Sequence, residues 1–251
     1  MFQPRFFASS PLPRNAVLPI EMTLDEKASM HIRVLRLDEG DEIAIFDGAG
    51  GEFTASVLAI GKREVRVRLV DHHLIERESS MHITLVQALA TGDKMDWIIQ
   101  KATELGVAEI QPIQTQRTTA KLNAERFVKR AAHWQGVAIA ACEQCGRNRI
   151  PKVLAVMDFG DWIAHQSEVR PDVTRVLLDP GASAPLTART SNAGKSIALI
   201  IGPEGGFAPD EIAAAIRKGV ETVRFGLRVL RTETAGIAAI AALQAQFGDF
   251  S

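Results

Sequence analysis

Cysteine is nearly absent: two residues in 251, Cys142 and Cys145, within the stretch CEQC. A zinc site would need two further ligands at metal spacing, and a thioredoxin-like pair would need a βαβ context at a strand end. CEQC instead closes a long helical pattern, so the thiols read as half-buried side chains in a reducing compartment, and no metal is expected. The adjacent His72 and His73, with no cysteine nearby, read as solvated. Long apolar runs are also missing. None approaches the ~18 residues needed to cross a bilayer, and MFQPRFFASSPLPR at the start lacks the basic and apolar segments of a signal peptide. The expectation is a cytoplasmic protein with no membrane association. Nor does one sign of charge dominate, since the net charge is −1 and announces no nucleic-acid partner by itself.

What is present is an ordinary folding mixture, 46% hydrophobic and 24% charged. The length suits a small domain followed by a larger one. Charge is uneven along the chain: from Thr91 to Lys152 ten Lys and Arg stand against six Asp and Glu, whereas Met1 to His73 holds nine against eleven.

The first seventy residues carry strand patterns. In Glu64 to Val70, Val65, Val67 and Leu69 alternate with Arg66 and Arg68, the period of a half-buried strand. Three or four such strands turn at Gly48–Gly51 and Gly61–Arg63, and a helix over about Asp25 to Leu37 closes what reads as a small β-barrel, residues 1–73. A polar linker, His72 to Ser80, follows. Beyond it, strands alternate with helices, the rhythm of a mainly parallel sheet in an α/β domain over residues 81–251. Strands are expected at 83–90, 107–113, 152–156, 175–178, 197–201 and 222–225. Helices are expected at 93–105, 124–145 and 233–247.

The stretch IALIIGPEGGFAPDEIAAAIRKG, Ile197 to Gly219, has the outline of a phosphate loop: an apolar strand, glycines, then a helix. Its chemistry is wrong for phosphate. Glu204 would repel an anion, Pro203 lacks an amide donor, and there is no lysine. NAGKS, Asn192 to Ser196, imitates the end of a Walker loop but precedes its strand and lacks the required upstream glycine. Three segments, LLDPGA from Leu177, IIGPEGG from Ile200 and FGLRVLRTETAG from Phe225, sit where strands give way to turns. In open α/β sheets ligands bind at such ends. Backbone groups, apolar walls from Leu178, Leu227 and Leu230 and an acid at the rim suit a flat base with little anionic charge, as in S-adenosylmethionine.

GDKMDWIIQKATELGV, IAACEQCGRNRIP, LIIGPEGG and LRVLRTETA, in that order, resemble the RsmE family of 16S ribosomal RNA uracil-N3 methyltransferases, of the knotted SPOUT class. The resemblance spans the chain, because the N-terminal part is similar to the family's PUA-like barrel. It implies a trefoil-knotted cofactor site, a homodimer, and methylation of uridine N3 in the 16S rRNA of the small ribosomal subunit with S-adenosylmethionine as donor. The cofactor-binding residues it implies are Leu178, Gly202, Pro203, Glu204, Gly205, Gly206, Leu227, Leu230, Thr232, Thr234 and Ala235. Ala208 departs from the serine or threonine common in similar proteins and leaves the following helix a poor N-cap.

Loss of the N3 proton spreads negative charge onto uracil oxygens, which a guanidinium can stabilise. Arg231 is the catalytic candidate, set against a structural ion pair with Glu204 or Glu233. Glu233 or bulk water is the candidate base. Candidate RNA contacts are Arg5, Arg117, Lys121, Arg147 and Arg149. The competing functions are a non-catalytic RNA-binding assembly factor and a knotted methyltransferase acting on transfer RNA.

Overall fold

The computed structural model describes residues 3–119, 124–169, 172–190 and 196–250. Its chain forms two compact units, Met1–Glu78 with Ile139–Ile150, and Ser79–Ala138 with Pro151–Ser251.

In the first unit, β1 (Arg5–Phe7), β2 (Ile20–Thr23), β3 (Glu42–Phe46), β4 (Glu52–Ile60) and β5 (Val65–His73) make one sheet in the order β1-β3-β4-β5-β2. β1 runs parallel to β3, and the other pairs are antiparallel. The alternation seen in the sequence is real: Val65, Val67 and Leu69 are fully buried while Arg66 and Arg68 face out. Phe6, Ile43, Ile45, Phe53 and Val57 join them in one core. Helix α1 (Glu26–Val34) starts at Asp25, whose carboxylate accepts the Ala28 N–H at 3.0 Å, and it buries Ala28, Ser29 and Ile32. Sequence periodicity overlooked β1 and β2, which are too short to show one.

The expected linker is not a free tether. Glu76, Arg77 and Glu78 are tied to the segment after the long helix: Arg149 Nε donates to Glu76 at 3.1 Å, Arg77 Nη1 to the Gly146 carbonyl at 2.8 Å, and Arg147 Nε to Glu78 at 3.0 Å. Ile139–Ile150 therefore belongs to the first unit, whereas the sequence pattern places all of residues 81–251 in the second domain.

The second unit contains β6 (His82–Ala88), α2 (Lys94–Glu104), β7 (Glu109–Gln114), the start of α3 (Ala124–Cys145), β8 (Lys152–Val153), β9 (Met157–Asp158) and α4 (Phe159–Val169). It continues with β10 (Thr174–Leu178), α5 (Leu186–Thr190), β11 (Ser196–Ile201), α6 (Pro209–Arg217), β12 (Glu221–Val223) and α7 (Thr232–Phe247). The strands form one parallel sheet of seven, in the order β12-β10-β11-β6-β7-β8, with β9 also on β7. A parallel strand covered on both faces reads as an unbroken apolar run, and Ile197–Ile201 of β11 is buried throughout. α7 lies on β6 and β11 through Gly236, where a Cβ would stand 3.4 Å from both Gln87 Oε1 and Ile201 Cγ1.

Candidate cofactor cleft

The carboxyl ends of β10, β11 and β12 open on one side of a cleft of about 870 Å³. Its walls are the β10 end (Leu178, Asp179, Pro180), the β11 loop (Gly202–Phe207) and the segment Arg224–Thr232, with Lys94, Arg117 and Ala235. The three strand-end segments singled out in the sequence thus converge. Of the expected cofactor-binding residues, Leu178, Gly202, Pro203, Glu204, Gly205, Gly206, Leu227, Leu230, Thr232 and Ala235 line it. Thr234 does not; it is exposed on the first turn of α7.

Backbone proximity explains the loop's composition. A Cβ on Gly205 would stand 3.3 Å from Arg117 Cβ, and one on Gly202 3.1 Å from the Phe207 ring. Gly206 has φ +67°, in the left-handed region. Thr232 is buried and donates to the Gly202 carbonyl at 2.6 Å while accepting from Gln87 Nε2 at 3.0 Å. That chain links β6, the loop and the start of α7. The weak cap at Ala208 is compensated by Glu211, which accepts the Ala208 N–H at 2.8 Å and the Gln116 N–H at 2.9 Å.

Glu204 is not a bare acid at the rim. Its Oε1 accepts from Thr91 N at 3.1 Å, Thr91 Oγ1 at 2.8 Å and Lys94 Nζ at 2.9 Å. Burial opposes ionisation, but the Lys94 ammonium and the Thr91 donors outweigh it and hold the carboxyl at about 2. Lys94 Nζ also stands 3.6 Å from Glu233 Oε2. Glu233 is not in the cleft wall, and its Oε2 is buried without a hydrogen bond. Arg231 does line the cleft; it is exposed, and its side chain makes no ion pair or hydrogen bond among the described residues. Of the two catalytic candidates, then, the arginine reaches the cleft and the carboxylate stands behind Lys94.

The RNA candidates divide. Arg117 is exposed at the cleft, donating to the Gly205 carbonyl at 3.1 Å. Arg149 is exposed and paired with Glu76. Arg5 and Arg147 are buried to 8% and 4% exposure. Arg5 pairs with Glu52 and donates to Asn148 Oδ1 at 2.6 Å, and Arg147 pairs with Glu78. A guanidinium enclosed by protein partners has no free face for a phosphate, so these two hold the first unit together. Lys121 lies outside the described residues.

Among the described residues no cluster of three metal-ligating side chains occurs, and no helix is long and apolar enough to cross a membrane. Burial pushes the Cys142 thiol up to about 12, so it is no nucleophile near neutrality. Lys94, Thr91, Gln87 and Asp179 escaped sequence reasoning. Lys94 lay within the GDKMDW motif, but nothing in one sequence announces that it meets Glu204 from 110 residues away.

Residues 77–244 match the model of the RNA methyltransferase domain, and residues 24–70 that of the RNA methyltransferase PUA domain. The ribosomal RNA small subunit methyltransferase E of Buchnera aphidicola is 34% identical over 90% of this chain and 88% of its own. That of Bacillus subtilis is 30% identical over 86% of each. The crystal structure of a ribosomal RNA small subunit methyltransferase E from Neisseria gonorrhoeae, bound to S-adenosyl methionine, superposes with a TM-score of 0.91 at 35% identity over the whole of both chains. With both domains matched, and with LIIGPEGG and LRVLRTETA in the cleft wall beside Lys94 of the GDKMDW motif, the chain belongs to the ribosomal RNA small subunit methyltransferase E family.

Proposed function

We propose that the protein binds S-adenosylmethionine in the cleft and methylates N3 of a specific uridine in the 16S rRNA of the small ribosomal subunit, acting in the cytoplasm as a homodimer. The observation that carries this reading is the convergence of the Gly202–Gly206 loop, Leu178 and Leu227–Leu230 around one cleft that holds Arg231, which has no ion pair among the described residues. The cleft suits the cofactor. It is within the size range of small-molecule sites, and its walls combine aliphatic side chains with the backbone of the Gly202–Gly206 loop. When bound, the cofactor supplies a methyl group on cationic sulfur.

The remaining work falls to the chain. Gly202, Gly205 and Gly206 let backbone approach the ligand, Leu178, Leu227 and Leu230 enclose it, and Thr232 ties the loop to α7. Arg231 meets the negative charge that develops on the uracil oxygens as the N3 proton leaves. Arg117 and Arg149 are the exposed cations assigned to phosphate contact. The base is bulk water or Glu233; a Glu233 route requires its buried Oε2 to become accessible when RNA binds.

The dimer is supported by α7. Gly236, Ala239, Ile240, Leu243 and Gln244 are buried within the subunit, while Ala238, Ala241, Ala242 and Ala245 on other faces are partly or fully exposed small residues. Such a face allows close packing against a second copy.

Binding of S-adenosylmethionine by calorimetry, followed by labelled-methyl transfer to small subunits, naked 16S rRNA and transfer RNA, tests the proposal. No heat of binding would leave the cleft without its ligand. Transfer to transfer RNA alone would reassign the substrate.

A further inference from the structure

The cleft presents an electrostatic puzzle. Arg231 sits at the N-cap of α7, two residues before Glu233, and shares the cleft wall with Glu204. A guanidinium so close in the chain to one carboxylate and on the same wall as another would be expected to pair with one of them. It pairs with neither among the described residues; both carboxylates converge on a third group.

That group is Lys94. Its ammonium is 2.9 Å from Glu204 Oε1 and 3.6 Å from Glu233 Oε2, so it joins the β11 loop to the first turn of α7 from the first residue of α2. Thr91 adds two donors to the same Glu204 oxygen, which fixes that carboxylate on the α2 side. The lysine stays protonated: the Glu204 hydrogen bond raises its affinity for the proton despite partial desolvation.

We propose that Lys94 is a positioning residue that sequesters Glu204 and Glu233 and thereby keeps Arg231 free for the reacting base. The proposal rests on the catalytic reading of Arg231. An arginine already held by a carboxylate must break that pair before it can meet charge developing on a uracil oxygen, and the cost appears in the barrier. Lys94 removes the cost in advance by engaging both acids, at 2.9 Å from Glu204 and 3.6 Å from Glu233. Glu204, Glu233 and Lys94 meet there, from the β11 loop, α7 and α2, while Arg231 shares the cleft wall with Arg117, Asp179, Arg224 and Arg228.

Lys94→Met tests this, with Lys94→Arg as the charge-preserving control and the same substitution repeated in a Glu204→Gln/Glu233→Gln background. Single-turnover methyl transfer to small subunits should fall about fivefold in Lys94→Met, the range over which a partly exposed ion pair can hold an arginine back. Lys94→Arg should retain most of the rate. In the double-glutamine background removing the lysine should cost nothing, because no acid is left to capture Arg231. A merely structural lysine would cost the same in both backgrounds, and that result would overturn the proposal. A readout independent of turnover is the crystal structure of Lys94→Met without cofactor. It should show Arg231 within 4 Å of Glu204 or Glu233; an Arg231 still unpaired would equally overturn it. Arg231→Ala run alongside keeps the two ideas apart. If Arg231→Ala is slow and Lys94→Met is not, Lys94 has no such role; if Arg231→Ala itself turns over at the wild-type rate, the catalytic reading has failed.

Discussion

Arginine plays opposite parts in the two units. In the first, Arg5 and Arg147 are enclosed, Arg5 against Glu52 and the Asn148 amide oxygen and Arg147 against Glu78, and their function is cohesion. In the second, Arg228 and Arg231 are exposed on the cleft wall with no ion pair among the described residues. The residue type is the same; what differs is whether its desolvation was settled on folding or is left for a ligand to settle. An arginine's chemical role is therefore set by the acids within reach, and the substitutions that follow separate the two kinds.

The largest effect should come from the enclosed kind. Arg5→Ala takes from the buried Glu52 carboxylate its enclosed partner, leaving it the half-exposed Arg77 at 3.2 Å, and should cost about 3 kcal/mol of stability, measured by denaturant unfolding. Arg149→Ala, whose pair with Glu76 is largely solvated, should cost no more than about 1 kcal/mol. The Glu52 carboxyl lies below its ordinary value because Arg5 and Arg77 outweigh the opposing effect of burial. Its contribution is thus present above the unfolded value near 4.5 and lost as pH falls through the lower folded one. The difference between wild type and Arg5→Ala should shrink in acid; a difference that grows would contradict the ion-pair account.

Next comes the exposed kind. Arg231→Ala should slow methyl transfer on the order of 100-fold, as loss of an oxyanion donor does, with thermal stability and cofactor affinity nearly unchanged. Loss of stability with turnover intact would move Arg231 into the cohesive class. Gly205→Val probes the cleft without touching charge. A side chain there meets Arg117 Cβ at 3.3 Å, so cofactor affinity should fall about tenfold or more in a protein that still folds. Undiminished calorimetric affinity would exclude the loop from the binding site.

The smallest effect concerns a carboxylate that has no strong arginine partner. Burial pushes the Glu143 carboxyl up, against the Phe7 N–H that it accepts at 2.9 Å and the nearby His31. A raised carboxyl favours folding as pH falls, so at neutral pH its charge is a burden. Glu143→Gln can keep the Phe7 hydrogen bond without the charge and should raise the melting temperature at pH 7 by a few degrees at most. A lower melting temperature at pH 7 would show that the His31 contact outweighs desolvation.

Much of the architecture was legible because periodicity is local. The alternation in β5, the apolar run of β11 and the stripe of α2 each declare a buried face within a few residues. The cleft loop was legible for a similar reason: glycine, proline and a carboxylate in GPEGG restrict the ligand before any partner is known. Short elements were not. β1, β2, β8 and β9 have two to four residues each, too few to show a period, and are strands because a neighbour offers them hydrogen bonds.

The sequence by itself determined the element types, the three strand-end segments and the family they belong to, since all of these depend on residue order over short stretches. Tertiary structure decided which charges meet. Arg5 and Arg147 looked like RNA contacts and became internal ties because Glu52 and Glu78 arrive from 47 and 69 residues away. Glu204 looked like a free acid and became the partner of Lys94, 110 residues distant. Electrostatic energy falls with distance in space and is indifferent to distance along the chain, so only the folded arrangement decides which arginine is spent and which is left to act.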